Sequence, residues 1–499
     1  MVCSKLDFTK NKIILPDLIS DNAIFQSGCP VRIWGYTDSR EAICVTIIDD
    51  AGDCVCKAVG YADPDTAKFE IELSAVASGP MSYTLIIQTA GVIREINNIL
   101  FGDVWVLSGQ SNMEMKIWEI ETLEIKTALL ADEDKLLDNA GEIRFFCNTG
   151  QSDASIVHGD NLSGRWVIAD HDSICDFSAV GYQMLKQIYS CRHCPLGGVL
   201  IAVGGSSIMS WIKGASYYQS KILPLAHMNI KGIAWYQGES DNRSTSPAYE
   251  NYDEVLITLI NDYREAWRRQ QLPFLIVQLP LSFLYADRPQ RYDDGLMLFD
   301  YEKIRMYQLS VYDALKDQAV YLVPTLDCGP NGKEKISIHF DDKIQIGNRL
   351  GLAALDVDNK KKTPERYTGA RVLKASVQKE RMKGQEHLKC DCCGQTVLLQ
   401  FTDIGECLTT LDGEEPTSFY VVTASGRCAP IRAQIETKDS IRLQIPTELE
   451  DWQEIHYQLE MTDQYPFKET LPSGVKLFAK PNLVNSYGVP VMSFKIKCD

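Results

Sequence analysis

A change in the spacing pattern of apolar residues near position 101 constrains the fold more than any other feature of this sequence. Before it, short runs alternate apolar and polar residues; after it, longer continuous apolar runs are separated by stretches with helical periodicity. The continuous runs are 104–107 (VWVL), 199–203 (VLIAV), 233–236 (IAWY), 274–277 (FLIV) and 320–323 (VYLV). Strands buried on both faces and joined by helices are typical of a parallel sheet, so residues 101–356 are predicted to form an α/β domain.

The flanking parts of the chain have the pattern of β structure. Residues 13–100 predict a small antiparallel β-sandwich, because alternating runs such as 83–87 (YTLII) are separated by turn clusters such as 49–53 (DDAGD). The polar stretch 356–364 (DVDNKKKTP) is typical of a linker, and the alternating runs beyond it predict a β-rich C-terminal domain. The predicted division is a tail at 1–12 followed by domains at 13–100, 101–356 and 357–499.

Charge and composition narrow the classes of partner. The formal net charge of −17 creates a field that repels phosphate backbones and anionic membrane surfaces. No window holds the roughly 18 consecutive apolar residues that span a bilayer, and the first residues lack the apolar stretch of a signal peptide. We therefore expect no nucleic-acid or membrane partner and a cytoplasmic protein whose 16 cysteines are reduced thiols.

Polar sequences follow three of the predicted parallel strands: 108–113 (SGQSNM), 204–207 (GGSS) and 237–241 (QGESD). Because the carboxyl ends of parallel strands meet at one edge of a sheet, we expect these segments to converge. Ser111 is then a candidate nucleophile at a strand-to-helix turn, with the positive end of the helix beneath it. The backbone N–H groups of Ser111 and Gly205 and the side-chain amide of Gln237 are candidate donors of an oxyanion hole.

A serine nucleophile needs a general base, and the sequence contains seven histidines. His339 follows the last apolar strand and precedes the helical run 344–355, so it can fold back over the strand ends. The other histidines lie outside the strand-end turns or in the β-rich C-terminal part. His339 is therefore the predicted base.

Each of these residues also has a purely structural interpretation. Ser111 taken alone could be a helix N-cap, Gly205 part of a tight turn, and Gln237 a partner for buried backbone groups. Glu239 could be a charge at a helix N-terminus, and His339 an ordinary surface histidine. The occurrence of three strand-end motifs in order favours catalysis.

Together these segments resemble the sialate O-acetylesterase family of SGNH-type esterases. The segments that carry the resemblance to the family's three blocks are 109–113 (GQSNM), 204–205 (GG) with Trp211, and 235–240 (WYQGES). Residues 31–35 (VRIWG) resemble part of the family's leading β domain, and 482–490 (NLVNSYGVP) resemble its closing segment. The resemblance covers nearly the whole chain.

The resemblance implies an SGNH-hydrolase-like fold and hydrolysis of O-acetyl esters on a sugar, without a metal or an organic cofactor. It implies that Ser111 is acylated, that His339 takes and returns the proton, and that Ser111, Gly205 and Gln237 build the oxyanion hole. Gln110 and Glu239 are predicted to support the site.

The sequence departs from the family pattern beside the predicted base. The family usually reads Asp-Ile-His-Pro, whereas this chain reads SIHF at 337–340, so Ser337 stands where an orienting carboxylate is expected. Losing that carboxylate from an intact triad typically costs about ten-thousand-fold in turnover. The candidates to orient the imidazole instead are a backbone carbonyl, Glu334, Asp327, Asp341 and Asp342.

Candidate sugar-binding residues rest on weaker patterns. Trp211 and Tyr236 could stack on a pyranose ring, although aromatic side chains more often contribute to the core. Arg288 and Arg291 could pair bidentately with a sialate carboxylate, or could simply belong to a solvated loop.

Three functions stay open from the sequence. The first is a sialate O-acetylesterase, and the second is an esterase of the same mechanism that acts on acetylated xylan or mannan oligosaccharides. The third is a catalytically inactive carbohydrate-binding protein, which Ser337 makes a real alternative. An α/β-hydrolase is disfavoured because Ser111 lacks the second glycine of Gly-x-Ser-x-Gly. A metallohydrolase is disfavoured because no His-Glu-x-x-His or comparable ligand cluster occurs, so no metal is predicted.

Overall fold

The computed structural model describes most of the chain. The described residues are 12–37, 42–131, 141–148, 161–280, 301–328, 338–378, 395–426, 428–449, 451–458 and 481–497, together with the backbone of the short strands Phe283–Tyr285, Met297–Phe299, Phe467–Thr470 and Lys476–Phe478. The chain divides into two compact units. The first unit comprises Met1–Asp241, Ser246–Leu275 and Leu315–Val320, and the second comprises Asn242–Thr245, Ile276–Ala314 and Tyr321–Asp499.

The N-terminal part of the first unit is built from β-strands. These are β1 Ile13–Ile14, β2 Ile24–Gln26, β3 Val31–Thr37, β4 Ile43–Asp49, β5 Cys54–Gly60, β6 Lys68–Leu73, β7 Gly79–Gln88 and β8 Ile93–Gly109. Within this part they pair antiparallel, except that β2 pairs in parallel with β8. One sheet has the order β1-β3-β6, while β5, β4, β7 and β8 pair in sequence as antiparallel neighbours. In β6 the side chains of Phe69 and Ile71 are buried while those of Glu70 and Glu72 are exposed, as the alternating pattern requires. That these sheets form one sandwich stays a prediction.

Strand β8 explains why the spacing pattern of apolar residues changes near residue 101. Its first residues are mostly exposed and pair with β7, whereas all residues from Ile99 to Gly109 are buried. The later part pairs in parallel with strands on both sides, so it needs apolar side chains on both faces. The predicted boundary at residue 100 therefore falls inside one continuous strand.

The central sheet of the first unit is parallel except at one edge. Its further elements are β9 Ile143–Asn148, β10 Gly164–Ile168, β11 Leu196–Leu200 and β12 Gly232–Tyr236, with helices α1 Ser111–Glu114, α2 Leu123–Leu130, α3 His171–Cys175, α4 Ala179–Arg192, α5 Leu223–Leu225 and α6 Tyr252–Ala266. Short helical turns lie at Ile117–Glu119, Ile208–Ser210, Tyr218–Ile222 and Glu239–Asp241. The strand order is β10-β9-β11-β8-β12, with β10 antiparallel to β9. A parallel sheet joined through helices confirms the α/β prediction.

The register of the central sheet places the carboxyl ends of three strands at one edge. Leu200 at the end of β11 pairs with Leu107 of β8, and Tyr236 at the end of β12 pairs with Gly109 of β8. The three polar segments that follow these strands therefore begin side by side, as predicted.

The second unit combines helices with a β-rich C-terminal part. Strands β13 Phe274–Val277 and β16 Val320–Val323 each contain one of the points where the chain passes between units. The other elements of this region are β14 Phe283–Tyr285, β15 Met297–Phe299, α7 Glu302–Leu315 and α8 Ile344–Asp356. Short helical turns of this unit lie at Pro364–Arg366 and Thr447–Leu449, whereas the turn Lys316–Gln318 belongs to the first unit. The C-terminal strands are β17 Arg371–Gln378, β18 Thr396–Thr402, β19 Leu408–Thr410, β20 Phe419–Thr423, β21 Cys428–Pro430, β22 Arg432–Thr437, β23 Ser440–Gln444, β24 Trp452–Tyr457, β25 Phe467–Thr470, β26 Lys476–Phe478, β27 Leu483–Asn485 and β28 Phe494–Ile496.

Two antiparallel sheets of the C-terminal part supply one hydrophobic cluster. Their strand orders are β17-β18-β23-β22 and β21-β20-β24-β28. Inward-facing side chains, among them Leu399, Phe419, Ile441 and Tyr457, are fully or almost fully buried in this cluster.

No helix in the described part of the chain is both long enough and apolar enough to cross a bilayer.

Candidate active site

The turn that carries Ser111 is fixed by the residue before it and by β12. Gly109 has φ +133°, and a Cβ at this position would lie 2.0 Å from the carbonyl oxygen of Tyr236. The backbone N–H of Gln110 donates to the same carbonyl oxygen at 3.0 Å. Only glycine fits this approach of backbone to backbone, so the end of β8 is held against the end of β12.

Ser111 is half-buried and begins α1. This helix contains only four residues, so few peptide dipoles align behind the serine. The helix dipole expected from the sequence is therefore a small contribution here. The neighbouring turn is in close contact, since a Cβ on Gly204 would lie 3.6 Å from the Cβ of Ser111.

The glycine pair after β11 is anchored to the same short helix. The backbone N–H of Gly204 donates to Oε2 of Glu114 at 2.8 Å. Gly205 is exposed and has φ +70°, while a Cβ there would meet no heavy atom within 4 Å. Position 205 therefore favours glycine because of its positive φ and not because space is short. The absence of a side chain also leaves its N–H open to approach by a ligand.

Gln237, after β12, is fully buried and uses its amide group inside the protein. Its Nε2 donates to the carbonyl oxygen of Ser206 at 3.0 Å and to Oδ2 of Asp241 at 2.6 Å. Its Oε1 accepts from the hydroxyl of Tyr252 at 2.8 Å. Both amide hydrogens are engaged, so donation to an oxyanion would require exchange of one of these bonds. The role of Gln237 in the oxyanion hole stays a prediction.

Asp241 is a site residue to which the sequence assigned no role. It is fully buried, and four donors converge on its carboxylate. The bonds come from Gln237 Nε2 at 2.6 Å, Ser207 Oγ at 2.5 Å, Ser246 Oγ at 2.6 Å and the Ile208 backbone N–H at 2.8 Å. The carboxylate therefore ties the turn after β11 to the turn after β12. The one sequence feature that pointed to Asp241 was its place in the polar segment 237–241, at the end of a predicted strand.

Two further bonds tie the Ser111 turn to the turn after β12. Glu239 is buried, and its Oε1 accepts from Nδ2 of Asn112 at 2.6 Å. Gln110 is also buried, and its Oε1 accepts from the backbone N–H of Ser240 at 3.3 Å. Both arrangements fit the supporting role predicted for Gln110 and Glu239, which stays a prediction.

A cavity of about 280 Å³ opens beside these turns in the first unit. Its lining consists of Glu114, Lys116, Cys147, Asp176, Phe177, Leu200, Ala202, Val203 and Lys221. Burial raises the pKa of the Cys147 thiol, and the nearby charge of Asp176 raises it further. The volume lies near the lower limit of small-molecule sites, which range from about 300 to 1,000 Å³.

His339 lies in the second unit, in the turn that precedes α8. The ring is half-buried, while Phe340 beside it is buried with the Lys343 ammonium 4.1 Å from its ring centre. The pairing of His339 with Ser111 stays a prediction.

The candidates to orient His339 have different surroundings. Both oxygens of Asp327 accept from Arg349, at 2.7 and 2.6 Å, so this carboxylate already has a buried cation as its partner. Asp341 is buried two residues after His339. Ser337 and Glu334 lie outside the described residues.

The aromatic residues predicted to contact sugar belong to the core. Trp211 and Tyr236 are both fully buried. The Trp211 indole N–H donates to Oγ of Ser206 at 3.0 Å, and its ring packs edge-on against Trp235 with centroids 5.8 Å apart. Neither ring offers a face to a sugar in this structure, so the core interpretation replaces the sugar-stacking one. Arg288 and Arg291 fall outside the described residues.

Comparisons with known proteins agree on one family. Residues 161–356 match the family model of carbohydrate esterases described as sialic acid-specific acetylesterases. The sialate O-acetylesterases of Pongo abelii and Homo sapiens are each 23% identical over 368 residues, covering 64% of this chain and 66% of their own length. This chain therefore spans just under two thirds of those relatives.

A solved structure extends the likeness to almost the whole chain. A carbohydrate acetylesterase from Xanthomonas citri superposes with a TM-score of 0.74 at 25% identity, covering 97% of this chain and 100% of its own. The likeness therefore includes the β-rich parts on either side of residues 161–356.

Proposed function

We propose that this chain is a serine esterase that removes acetyl groups from a sugar, because it is similar to the sialic acid-specific acetylesterases in sequence and to a carbohydrate acetylesterase in fold. The observation that carries the proposal is the meeting of three turns at one sheet edge. Ser111, Gly204 and Gln237 follow β8, β11 and β12, and hydrogen bonds join the turns to one another. The proposed architecture is an SGNH-hydrolase-like domain preceded by an N-terminal β-sandwich.

In the proposed reaction, the Ser111 hydroxyl attacks the acetyl carbonyl carbon and its proton passes to His339. The backbone N–H groups of Ser111 and Gly205 stabilise the tetrahedral oxyanion. Collapse expels the sugar oxygen, which takes the proton from His339, and leaves Ser111 acetylated. Water then attacks the acetyl group through the same steps and releases acetate. No metal or organic cofactor enters this sequence of steps.

The first experiment tests the nucleophile. We expect a fluorophosphonate probe to label the wild type and Ser220→Ala, since Ser220 is an exposed serine of the first unit that donates to the Ser216 carbonyl oxygen. Ser111→Ala should lose labelling completely, and mass spectrometry of the labelled peptide should place the adduct on Ser111. Labelling at another serine, or equal labelling of Ser111→Ala, would refute the assignment.

A second experiment tests the base. His339→Ala should lower turnover of 4-nitrophenyl acetate by several orders of magnitude, because removing a triad member leaves only the residual effect of the oxyanion hole and binding. His171→Ala, at the exposed start of α3, serves as the matched histidine control. Comparable turnover in His339→Ala and the wild type would exclude His339 as the base.

Sialic acid as the sugar is proposed from the family model and the curated relatives. The Xanthomonas citri neighbour is described only as a carbohydrate acetylesterase, with no particular sugar named, and acetylated xylo- or manno-oligosaccharides are the second candidate substrates. Acetate release from di-O-acetylated sialic acid, measured beside these oligosaccharides, separates the two. The proposal fails if none of these substrates releases acetate faster with the wild type than with Ser111→Ala.

Ser337 bears on the third alternative, an inactive sugar-binding protein. If the native arrangement around His339 is impaired, Ser337→Asp should raise turnover by orders of magnitude. If another group already orients the imidazole, the same variant should change turnover little. Absence of both labelling and hydrolysis would favour the binding-protein alternative.

A further inference from the structure

The cavity that Glu114 of α1 lines contains both positive and negative side chains. Its cations are Lys116 and Lys221, and its carboxylates are Glu114 and Asp176. Cys147 is the remaining titratable group in the lining, and burial holds its pKa above its ordinary value. The remaining lining is apolar. A charged group of the lining can bind a ligand most readily if no protein group already occupies it, so the partners of these groups matter.

Three of the four charged groups have direct partners. The Lys116 ammonium donates to Oδ1 of Asp176 at 2.7 Å. Oε2 of Glu114 accepts from the backbone N–H of Gly204 at 2.8 Å. These three side chains therefore hold the cavity wall and its link to the Ser111 turn.

Lys221 differs from the other three. It lies in the short helical turn Tyr218–Ile222 and is half-buried. Within the described part of the chain its ammonium group forms no hydrogen bond and no ion pair, and Glu114 acts on it only as a nearby charge. Burial lowers the pKa of Lys221, and the Glu114 carboxylate partly opposes that effect. A half-buried ammonium that lacks a direct partner keeps its donors available to a ligand.

Resting on the proposed esterase function, we propose that Lys221 is a specificity-determining residue that binds the carboxylate of an acidic acetylated sugar. The cavity volume of about 280 Å³ suits a single sugar ring better than a polymer segment. Lys221 lines the same cavity as Glu114, the last residue of the short helix that Ser111 begins, and the Glu114 carboxylate accepts from the Gly204 N–H.

The overall charge of the protein makes a local cation necessary for such a substrate. A formal net charge of −17 repels an anionic sugar at long range. An ammonium group in a partly desolvated cavity attracts a carboxylate more strongly than one in open water. A neutral acetylated sugar could accept a hydrogen bond from Lys221 but would lack the charge–charge attraction.

The test compares an O-acetylated sialic acid with its methyl ester, in which the carboxylate is neutralised. The variant is Lys221→Met, which keeps most of the volume of the side chain, with Lys221→Arg as the charge-conserving change. Lys213→Met is the matched control, because Lys213 pairs on the surface with Glu265 at 2.7 Å and does not line the cavity. Far-ultraviolet circular dichroism and the unfolding midpoint of each variant establish that it folds.

We expect the ratio of kcat/KM for the acid to kcat/KM for the methyl ester to fall by about 10- to 100-fold in Lys221→Met, as for loss of one charge-assisted hydrogen bond. The change should appear mainly in KM. Lys221→Arg should restore part of the ratio, and Lys213→Met should leave it unchanged. An acetylated methyl glucuronoside shows whether a simple uronic acid is accepted as well.

A purely structural role of Lys221 would lower both rates together and leave the ratio constant, which would overturn the proposal. Binding of N-acetylneuraminic acid and its methyl ester, measured calorimetrically on Ser111→Ala and on Ser111→Ala/Lys221→Met, provides a readout without turnover. The same 10- to 100-fold loss in binding of the acid is expected, and equal affinities in the two variants would contradict the assignment. If the acid binds through Lys221 but no ester is hydrolysed, the esterase function fails while the Lys221 assignment stands.

Discussion

Replacement of Asp241 tests whether a single buried carboxylate holds two of the active-site turns together. Asp241→Ala removes the acceptor for four donors. Two of them have no simple alternative, the backbone N–H of Ile208 and one amide hydrogen of Gln237. Each buried donor left without a partner costs about 1–3 kcal/mol, so the expected loss in the free energy of unfolding is about 2–6 kcal/mol.

Asp241→Asn is expected to cost much less. The remaining carbonyl oxygen can still accept from Ile208 and Gln237, and the new NH₂ group faces the hydroxyls of Ser207 and Ser246. A hydroxyl can accept as well as donate, so both can rotate to receive these hydrogens. What is lost is the difference between charged and neutral hydrogen bonds, about 1–2 kcal/mol in total.

Urea unfolding followed by tryptophan fluorescence measures both variants. Asp262→Asn is the control, since Asp262 accepts a backbone N–H bond from Lys213 at 2.7 Å near the surface and should lose less than about 1 kcal/mol. The reasoning is refuted if Asp241→Asn is destabilised as much as Asp241→Ala, because hydroxyl rotation would then not compensate. It is also refuted if Asp241→Ala unfolds within about 1 kcal/mol of the wild type.

Three further predictions follow from other contacts. Gly109→Ala should destabilise the protein by about 3 kcal/mol, because its Cβ would clash with the Tyr236 carbonyl oxygen; a wild-type thermal midpoint would contradict this. Arg349→Met should cost about 3 kcal/mol, the lower end of the range for a broken buried pair, because it leaves the partly buried Asp327 without its cation; a loss below about 1 kcal/mol in chemical denaturation would contradict this. The acid-to-ester ratio of kcat/KM should fall as pH rises through the pKa of Lys221, because only the protonated amine attracts a carboxylate. Burial lowers this pKa. A ratio that does not change with pH across that range would exclude Lys221 as the group that binds the carboxylate.

The parallel sheet could be predicted from sequence because its signal is local. A strand buried on both faces needs an unbroken apolar run, and 104–107 and 233–236 show such runs. The continuity of β8 across residue 100 could not be predicted in the same way, because the two halves of that strand have different neighbours and therefore different patterns. A change in pattern marks a change of environment, and here that change occurs within one strand.

The position of the candidate site was also predictable, whereas the partners within it were not. Strand-end segments containing Ser111 and Gly205 identify the sheet edge, because parallel strands end together. The burial of Trp211 and Tyr236 depends on the packing of the turn after β11 against β12, which no sequence pattern encodes. For the same reason Asp241 looked like one more polar residue, although it accepts bonds from two turns and a serine beyond them.

The hydrogen bonds of Gln237 bear directly on how an oxyanion would be stabilised. An amide nitrogen carries two hydrogens, and those of Gln237 are used by the Ser206 carbonyl and by Asp241. If both bonds persist during the reaction, the donors available are the backbone N–H groups of Ser111 and Gly205. Gln237 then acts as a positioning residue, because its bond to Ser206 holds the residue next to Gly205 in place. Removing the Gln237 side-chain amide should therefore lower turnover because the Gly205 N–H moves, and not because an oxyanion donor is lost. Asp241→Ala should lower turnover for the same reason, because it also releases the turn after β11.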